Sequence, residues 1–435
     1  MPRRTKARVR GVGDQQVLFR VVVAMSVAFV VFGFVVDSPG AVLRGVVDIL
    51  SARDTLVTDF VVVGGLGGAF VQAGLLTLVA CATYRITGAA ADGPAVAALL
   101  LVLGTALYGK TLLNVWPILA GVALYAILRR ERLSADVSTA WFGTALSPIF
   151  VELAFNTALP VWAGVLLGAA TSVLIGFVLP PVARQLFRAH DGFTLYNMGF
   201  VAGVVGAVVV AVYRAFGLTA PPEMVWTSGD DGPLSILLAI LLVGLIGTAF
   251  ALDRAPWRAY VRLTRRDGRA PCDFLADDGA AAVLLNMAVI GTLTTGYVLV
   301  IGAHLNGPVI AGILSVMGFG ACGKNAVNIV PVVAGVAIAG LLKPFELTDP
   351  GLIWAALYGT CLAPIAGRFG PHWGVVAGFF HASVAQVTGA LVIGLNLYGN
   401  GFAAGFVAAV IAPVAALISH PRRGAGEREK PVPAA

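Results

Sequence analysis

The sequence is poor in charged residues, which make up 12% of its 435 residues. That is about half of the charged fraction of a soluble domain. Two windows, 279–323 and 369–421, contain no Asp, Glu, Lys or Arg. Each is long enough for two helices of about 20 residues, the length that crosses a bilayer. Together with a mean hydropathy of +0.90, this shortage excludes a chain of soluble domains and indicates a polytopic membrane protein.

Cysteine is also scarce, and its four residues lack the short spacings of zinc or redox motifs. Three of them lie in apolar segments, where cysteine usually behaves as a small buried hydrophobe. The four positions are Cys81, Cys272, Cys322 and Cys361. We therefore predict structural roles for them, and we predict neither a metal site nor a cofactor.

Hydropathy predicts an all-α integral membrane fold of about fourteen transmembrane helices, because a long apolar run can satisfy its backbone in lipid only as a helix. The first predicted span is read as an uncleaved helix, since no convincing cleavage site follows it. The spans centre on residues 17–36, 60–83, 93–109, 111–128, 138–158, 160–183, 199–216, 233–252, 279–302, 307–322, 326–342, 351–368, 371–393 and 402–419.

The basic residues are distributed unevenly about these spans. With the N-terminus in the cytoplasm, 24 of the 29 Lys and Arg residues fall on the cytoplasmic side and five on the other. Such an excess is typical of cytoplasmic loops. It explains the net charge of +7 without a nucleic-acid partner. The sequence thus predicts a protein of the bacterial plasma membrane with both termini cytoplasmic, whose main partner is the lipid bilayer.

The chain also contains an internal repeat. Residues 93–122 match 307–336 at an offset of 214, and two later segments match at offsets of 216 (142–149 with 358–365) and 202 (192–203 with 394–405). Equivalent spans are seven apart, and this odd number predicts two six-helix repeats of inverted topology plus two extra helices. The predicted divisions are an N-terminal region with the first span (1–54), repeat 1 (55–216), a linker with the eighth span and a basic loop (217–269), repeat 2 (270–418) and a cytoplasmic tail (419–435).

The first candidate site is a Gly-Lys-x-x-x-Asn-x-x-Pro element that occurs once in each repeat. Lys and Asn four residues apart share one helix face, and the following Pro can free backbone carbonyl groups. We therefore predict a cationic station toward each face of the membrane, where a solute is met on entry and exit. The alternative is a lysine that snorkels at the membrane surface. The residues are Lys110, Asn114 and Pro117 in repeat 1 and Lys324, Asn328 and Pro331 in repeat 2.

The second candidate is a charge pair. Glu152 and Arg368 occupy equivalent positions, each four residues after a proline. A charged residue within an apolar span usually faces a cavity or a partner, so an ion pair between the repeats is predicted. The alternative leaves Arg368 at the end of its helix and Glu152 solvated at the other face.

The third candidate is a Leu-Tyr segment in each repeat, with Tyr196 and Asn197 in the first and Tyr398 and Asn400 in the second. Each runs into a glycine-rich helix, which suits a broken helix that lines a path. Anchoring of the tyrosines at the membrane interface is the alternative. His381 lies in an apolar span and is interpreted as a hydrogen-bonded packing residue rather than a proton relay.

The repeated segments resemble a bacterial multi-pass membrane family that is classified only as a domain of unknown function. This resemblance covers nearly the whole chain and implies a polytopic membrane protein without a named substrate. Gly192-x-x-x-Tyr196-Asn197 also resembles a Gly-x-x-x-Tyr-Asn stretch of urea transporters, which are inverted repeats. The Leu-Pro-x-x-Thr motif of that family is not evident, and Gly399 stands at the position equivalent to Asn197.

These features predict a transporter or channel for a small polar or anionic solute, with its path between the repeats. A homo-oligomer is compatible with the sequence. An intramembrane enzyme is the first alternative, although neither His-Glu-x-x-His nor Gly-x-Ser-x-Gly occurs, so we predict no enzymatic activity. A non-transporting scaffold is the second, although the short loops offer little surface to soluble partners.

Overall fold

A computed structural model describes residues 2–52, 57–218, 224–227, 229–344 and 346–419, with no side-chain description for residues 2–12. Over these ranges the chain is a bundle of helices with one minimal pair of strands. The first half contains α1 (Pro2–Val36), α2 (Pro39–Ser51), β1 (Val57–Thr58), α3 (Phe60–Thr87), α4 (Gly93–Thr105), α5 (Trp116–Arg129), α6 (Leu133–Gly143), α7 (Pro148–Phe155), α8 (Val161–His190) and α9 (Asn197–Ala215). The second half contains β2 (Met224–Val225), α10 (Asp231–Leu252), α11 (Pro256–Leu263), α12 (Phe274–Asp278), α13 (Ala280–Val300), α14 (Gly307–Phe319), α15 (Ala326–Leu342), α16 (Pro350–Gly359), α17 (Ala363–Phe369), α18 (Pro371–Leu391) and α19 (Gly399–Ser419). The predicted tail lies outside the described residues from position 420 onward.

Several of these helices can cross a membrane. Over the described ranges, nine spans are long and apolar enough when α16 and α17 are counted together as one, or ten if the bent pair α6–α7 also counts as one span. The predicted fourteen spans are not confirmed, because α4, α5, α14 and α15 have only 13, 14, 13 and 17 residues. A helix that crosses the hydrocarbon core needs about 20 residues. The chain is therefore a multi-pass helical membrane protein with four shorter apolar helices.

The two ends of α10 define two faces of the bundle. β2 precedes α10 and pairs in parallel with β1, with Val57 opposite Met224, so α3 and α10 begin at the same end. We call this end the strand face. The segment 253–273, which includes α11, follows the other end of α10, and we call that end the loop face.

Two glycines interrupt equivalent helices. Gly65 has a φ of +71° inside α3, and Gly279, 214 residues later, has a φ of +85° between α12 and α13. Only glycine adopts such angles readily. The aspartates that cap the two segments, Asp59 and Asp273, are also 214 residues apart, and each accepts a backbone N–H of the helix that follows. The sequence repeat thus extends upstream of residue 93.

Two further breaks are equivalent. A 3₁₀ turn over 144–146 separates α6 from α7, which are bent by 43°, and a 3₁₀ turn over 360–362 separates α16 from α17. Pro148 and Pro364 lie in the first turn of the helices that follow. Proline has no backbone N–H to continue the preceding helix, so the regular helix is interrupted at both positions.

The core is formed around α4 and α14, which pack against each other and are buried along almost their entire lengths. Small residues bring the two backbones close, with Gly104 against Ala311 and Gly318 against Ala97. Small residues at such crossings are the usual means of close helix packing in membranes. The loops that follow α4 and α14 are thereby held inside the bundle.

Candidate functional site

Both lysines of the repeated element lie inside the protein, with side chains that are 0% exposed. Each follows its core helix within a tight turn. The N–H of Lys110 donates to the carbonyl oxygen of Thr105 at 3.1 Å, and that of Lys324 to Phe319 at 3.0 Å. Full burial rules out lysines that snorkel at the membrane surface.

Each lysine binds the tyrosine of the other half of the chain. Nζ of Lys110 donates to the hydroxyl of Tyr398 at 2.5 Å, and Nζ of Lys324 donates to the hydroxyl of Tyr196 at 2.7 Å. The same Nζ atoms lie 4.8 and 4.5 Å from the centroids of those rings, which is cation–π geometry. The first and third candidates therefore form one reciprocal cluster.

Sequence reasoning missed two amides that hold the lysine turns. Nε2 of Gln72 donates to the carbonyl oxygen of Lys110 at 3.0 Å, and Nδ2 of Asn286 donates to that of Lys324 at 2.7 Å. Each amide also binds the carbonyl oxygen four residues earlier in its turn. Gln72 and Asn286 are 214 residues apart, so extending the repeat offset upstream would have found them.

The asparagines of the repeated element support the backbone rather than face a solute. Nδ2 of Asn114 and Nδ2 of Asn328 each donate, at 2.8 Å, to the carbonyl oxygen of the glycine before the lysine. Both side chains are buried. Pro117 lies in the first turn of α5, whereas Pro331 lies inside α15.

A cavity of about 200 Å³, which we call the central cavity, lies between the two Leu-Tyr segments and extends toward the loop face. The predicted residues Tyr196, Asn197, Tyr398 and Asn400 are part of its wall. The two lysines are not; they lie behind the tyrosine rings, which corrects the prediction of cationic stations exposed to a solute. The wall comprises Pro94, Leu101, Phe142, Leu195, Tyr196, Asn197, Met198, Gly199, Ala270, Pro271, Cys272, Phe319, Cys322, Tyr358, Leu397, Tyr398, Asn400 and Gly401.

Reciprocal contacts between the halves hold this wall together. The N–H of Leu195 donates to the carbonyl oxygen of Cys361, and the N–H of Leu397 donates to that of Ala145, each at 3.0 Å. Each Leu-Tyr segment is thus fixed to the 3₁₀ turn of the other half. Beside them the helices α9 and α19 meet closely, since a Cβ atom at Gly199 would lie 2.8 Å from a backbone atom of Gly401.

A histidine orients each asparagine of the cavity wall. Nε2 of His190 lies 3.0 Å from Oδ1 of Asn197, and Nε2 of His381 lies 3.1 Å from Oδ1 of Asn400. His381 is thus buried and hydrogen-bonded, as predicted. The two asparagines differ by one position from the repeat alignment, in which Gly399 is the counterpart of Asn197.

A second cavity, of about 330 Å³, lies toward the strand face, and Asn400 lines it as well. We call it the strand-face cavity. Tyr358 lines the central cavity, its hydroxyl oxygen lies 3.2 Å from that of Tyr108, and the Tyr108 hydroxyl also donates to the carbonyl oxygen of Leu397. The indole ring of Trp354 packs on both tyrosine rings, at centroid distances of 5.0 and 5.6 Å. We call Tyr108 and Tyr358 the tyrosine barrier.

The predicted ion pair between Glu152 and Arg368 is absent from the part of the chain that the structure describes. Glu152 is buried in α7 beside Tyr213, near the end of α9 that leads to the strand face. Arg368 lies at the end of α17 with a half-exposed side chain, 3.9 Å from a carboxylate oxygen of Asp267. The two equivalent positions therefore lie toward opposite faces, too far apart to pair.

The loop face carries its own ion pairs. Arg266 binds Asp278 at 2.5 Å and Asp277 at 3.0 Å, and the hydrogen bond that Arg266 donates to Asp278 raises the pKa of Arg266 above its ordinary value. Beside them, burial raises the pKa of the Cys272 thiol to about 12.

Within the described ranges, no group of three or more His, Cys, Asp or Glu side chains is arranged to hold a metal ion.

One protein family matches the chain, over residues 38–215 and 253–417, and it is described as a protein of unknown function (DUF1576). The stretch between the two matched segments contains α10. No curated protein and no solved structure matches the chain, so the resemblance to urea transporters is not shown. The resemblance to a multi-pass membrane family of unknown function is confirmed. Because the match covers most of its length, the chain belongs to the DUF1576 family.

Proposed function

We propose that the protein is a membrane transporter that moves a small solute between the two halves of its chain. The observation that carries this proposal is the pair of cavities toward opposite faces, both lined by Asn400. We infer that the tyrosine barrier closes the way between them, because Tyr358 lines the central cavity and packs on Trp354, which lines the strand-face cavity. Cavities on both sides of a movable barrier are what alternating access requires.

The reciprocal contacts support two repeats of inverted topology. α3 begins at the strand face, whereas its counterpart α13 begins after the loop-face segment 253–273. Lysine-tyrosine bonds and backbone bonds are exchanged between the halves at equivalent positions. Substrate sites of inverted-repeat transporters lie at the interface between the repeats. We infer that the long, bent and short helices together make two six-segment repeats, with α1 and α10 outside them.

The charges of the loop face support its placement in the cytoplasm. The segment 254–269 contains six arginines, and cytoplasmic loops of membrane proteins carry the excess of basic residues. α1 also begins at the loop face, and α19 ends there. With the loop face in the cytoplasm, both termini would be cytoplasmic. The strand-face cavity would then open to the outside of the cell membrane.

Protein-dependent flux that depends on a residue of the central cavity tests this proposal. Proteoliposomes are exposed to gradients of small neutral amides, from acetamide to benzamide, and swelling is followed by stopped-flow light scattering. In a variant that retains only Cys272, because Cys81, Cys322 and Cys361 are alanine, N-ethylmaleimide is expected to abolish the protein-dependent flux. The cysteine-free protein is the matched control and should be unaffected. Equal flux in modified and unmodified protein would overturn the proposed path.

The pH dependence of that modification is a separate prediction. The thiolate is the reactive form, and a pKa of about 12 leaves little of it at neutral pH. Because burial favours the neutral thiol, the rate is expected to rise about tenfold for each pH unit between pH 7 and 9. The rate is measured by mass spectrometry of the single-cysteine protein. A rate that levels off below pH 9 would contradict the buried setting of Cys272.

A further inference from the structure

We propose that the central cavity takes a neutral solute with an apolar body and one oxygen that accepts a hydrogen bond, such as a carbonyl or hydroxyl group. This inference rests on the proposed function. It replaces the anionic solute class that the two lysines suggested from the sequence.

The wall of the central cavity argues against an ionised solute. Among the residues that the structure describes, its lining contains no Asp, Glu, Lys or Arg. Aromatic side chains, including Phe142, Phe319 and Tyr358, form much of the surface. An ion that enters such a space loses its hydration without gaining a charged group in contact, which is far costlier than the transfer of a neutral group.

The two lysines do not contact a solute in the cavity, because neither lines it and the tyrosine rings lie in front of them. Nζ of Lys110 is bound by the Tyr398 hydroxyl and by the carbonyl oxygen of Trp141 at 3.2 Å. On the other side, the hydroxyl of Tyr196 binds both Lys324 and Ser315. The tyrosine rings therefore lie between the lysines and the cavity.

Asn400 offers the solute a hydrogen bond. Its Oδ1 is bound to His381, whereas its Nδ2 has no partner within the described part of the chain. The side chain is half-buried and lines both cavities. An amide nitrogen donates two hydrogen bonds, so it selects an oxygen that accepts. The same group can hold the solute on either side of the tyrosine barrier.

The volume fits a solute of one ring. An apolar cavity of about 150 Å³ takes up benzene, so the central cavity of about 200 Å³ has room for a ring with one small substituent. Benzamide has this shape, is neutral, and carries one carbonyl oxygen. Benzoate has nearly the same shape but carries a negative charge, so the pair isolates the effect of charge.

Ligand-dependent thermal unfolding of the purified full-length protein at pH 8 tests the inference. Benzamide and benzyl alcohol are expected to raise the midpoint with increasing concentration, whereas benzoate at equal concentration is not. In Asn400→Leu the apparent benzamide affinity should fall about tenfold, the loss of one good hydrogen bond of about 1.4 kcal/mol. Gln386→Leu, in the strand-face cavity only, is the matched control and should keep the wild-type affinity.

Stabilisation by benzoate but not by benzamide would overturn the inference, and so would the absence of any shift with the neutral compounds up to their solubility limit. An unchanged benzamide affinity in Asn400→Leu would overturn the assigned role of Asn400. These outcomes are distinct from failure of the proposed function. Binding of benzamide without protein-dependent flux would refute transport, whereas flux of benzoate alone would refute only the solute class.

Discussion

Replacement of Tyr358 by alanine is expected to turn the closed path into a permanent leak. Tyr358 is buried, lines the central cavity and packs on Trp354, which lines the strand-face cavity, so its removal deletes most of the tyrosine barrier. The spaces of about 200 and 330 Å³ would then join into one channel. We expect at least a tenfold increase in the swelling rate of proteoliposomes exposed to acetamide, measured per folded protein.

Tyr358→Phe is the matched control for this leak. It keeps the ring and removes only the hydroxyl bond with Tyr108, whose net worth is about 1 kcal/mol. The barrier should therefore remain closed most of the time, with a leak well below that of the alanine variant. Removal of a large buried side chain costs about 3–5 kcal/mol of stability, so the leak is tested in a second variant as well. Tyr108→Ala removes the other tyrosine of the barrier and should produce a leak independently. Wild-type swelling rates in both alanine variants would show that these tyrosines are not the barrier.

Replacement of Gly121 by leucine is expected to destroy the packing of α5 on α8. A Cβ atom at this position would overlap the carbonyl oxygen of Val173, a backbone atom that cannot rotate away. Gly335 in the second half meets Val375 in the same way, so Gly335→Leu should have the same effect. We expect each variant to lose about 3 kcal/mol or more of stability, seen as loss of monodisperse protein on gel filtration.

The matched control for these glycines lies in α10. A Cβ atom at Gly244 would have no atom within 4 Å, so Gly244→Leu adds the same side chain without a clash. Its thermal midpoint and yield should stay near wild type. If Gly121→Leu behaves like Gly244→Leu, the close crossing of α5 and α8 is wrong.

The sequence predicted the segments of the candidate site but not their partners. Lys110 and Tyr398 are 288 residues apart, and Lys324 and Tyr196 are 128 apart, and no local pattern indicates that they meet. The internal repeat shows which positions of the two halves match in sequence. It did not predict which equivalent positions lie near each other, and Glu152 and Arg368 were wrongly paired for that reason.

The number of spans illustrates a second limit. α4 and α14 are apolar on every side because protein surrounds them, and a helix buried in protein has the same hydropathy as one in lipid. The predicted spans 93–109 and 307–322 therefore each contain a buried helix of only 13 residues. Gln72 and Asn286 were missed for a different reason, since single amides in apolar helices carry no motif and become visible only when the repeat offset is applied to them.

The most direct test of a two-sided path is the accessibility of position 400. Asn400→Cys is made in a protein whose four native cysteines are alanine, and sealed vesicles are treated with a membrane-impermeant thiol reagent on one face at a time. Gln386→Cys and a single Cys272 serve as references for the strand-face and central cavities. If the halves alternate around one site, the cysteine at position 400 should be labelled from both faces, the one at 386 only from the strand face and Cys272 only from the loop face. Labelling of position 400 from one face alone would contradict the account.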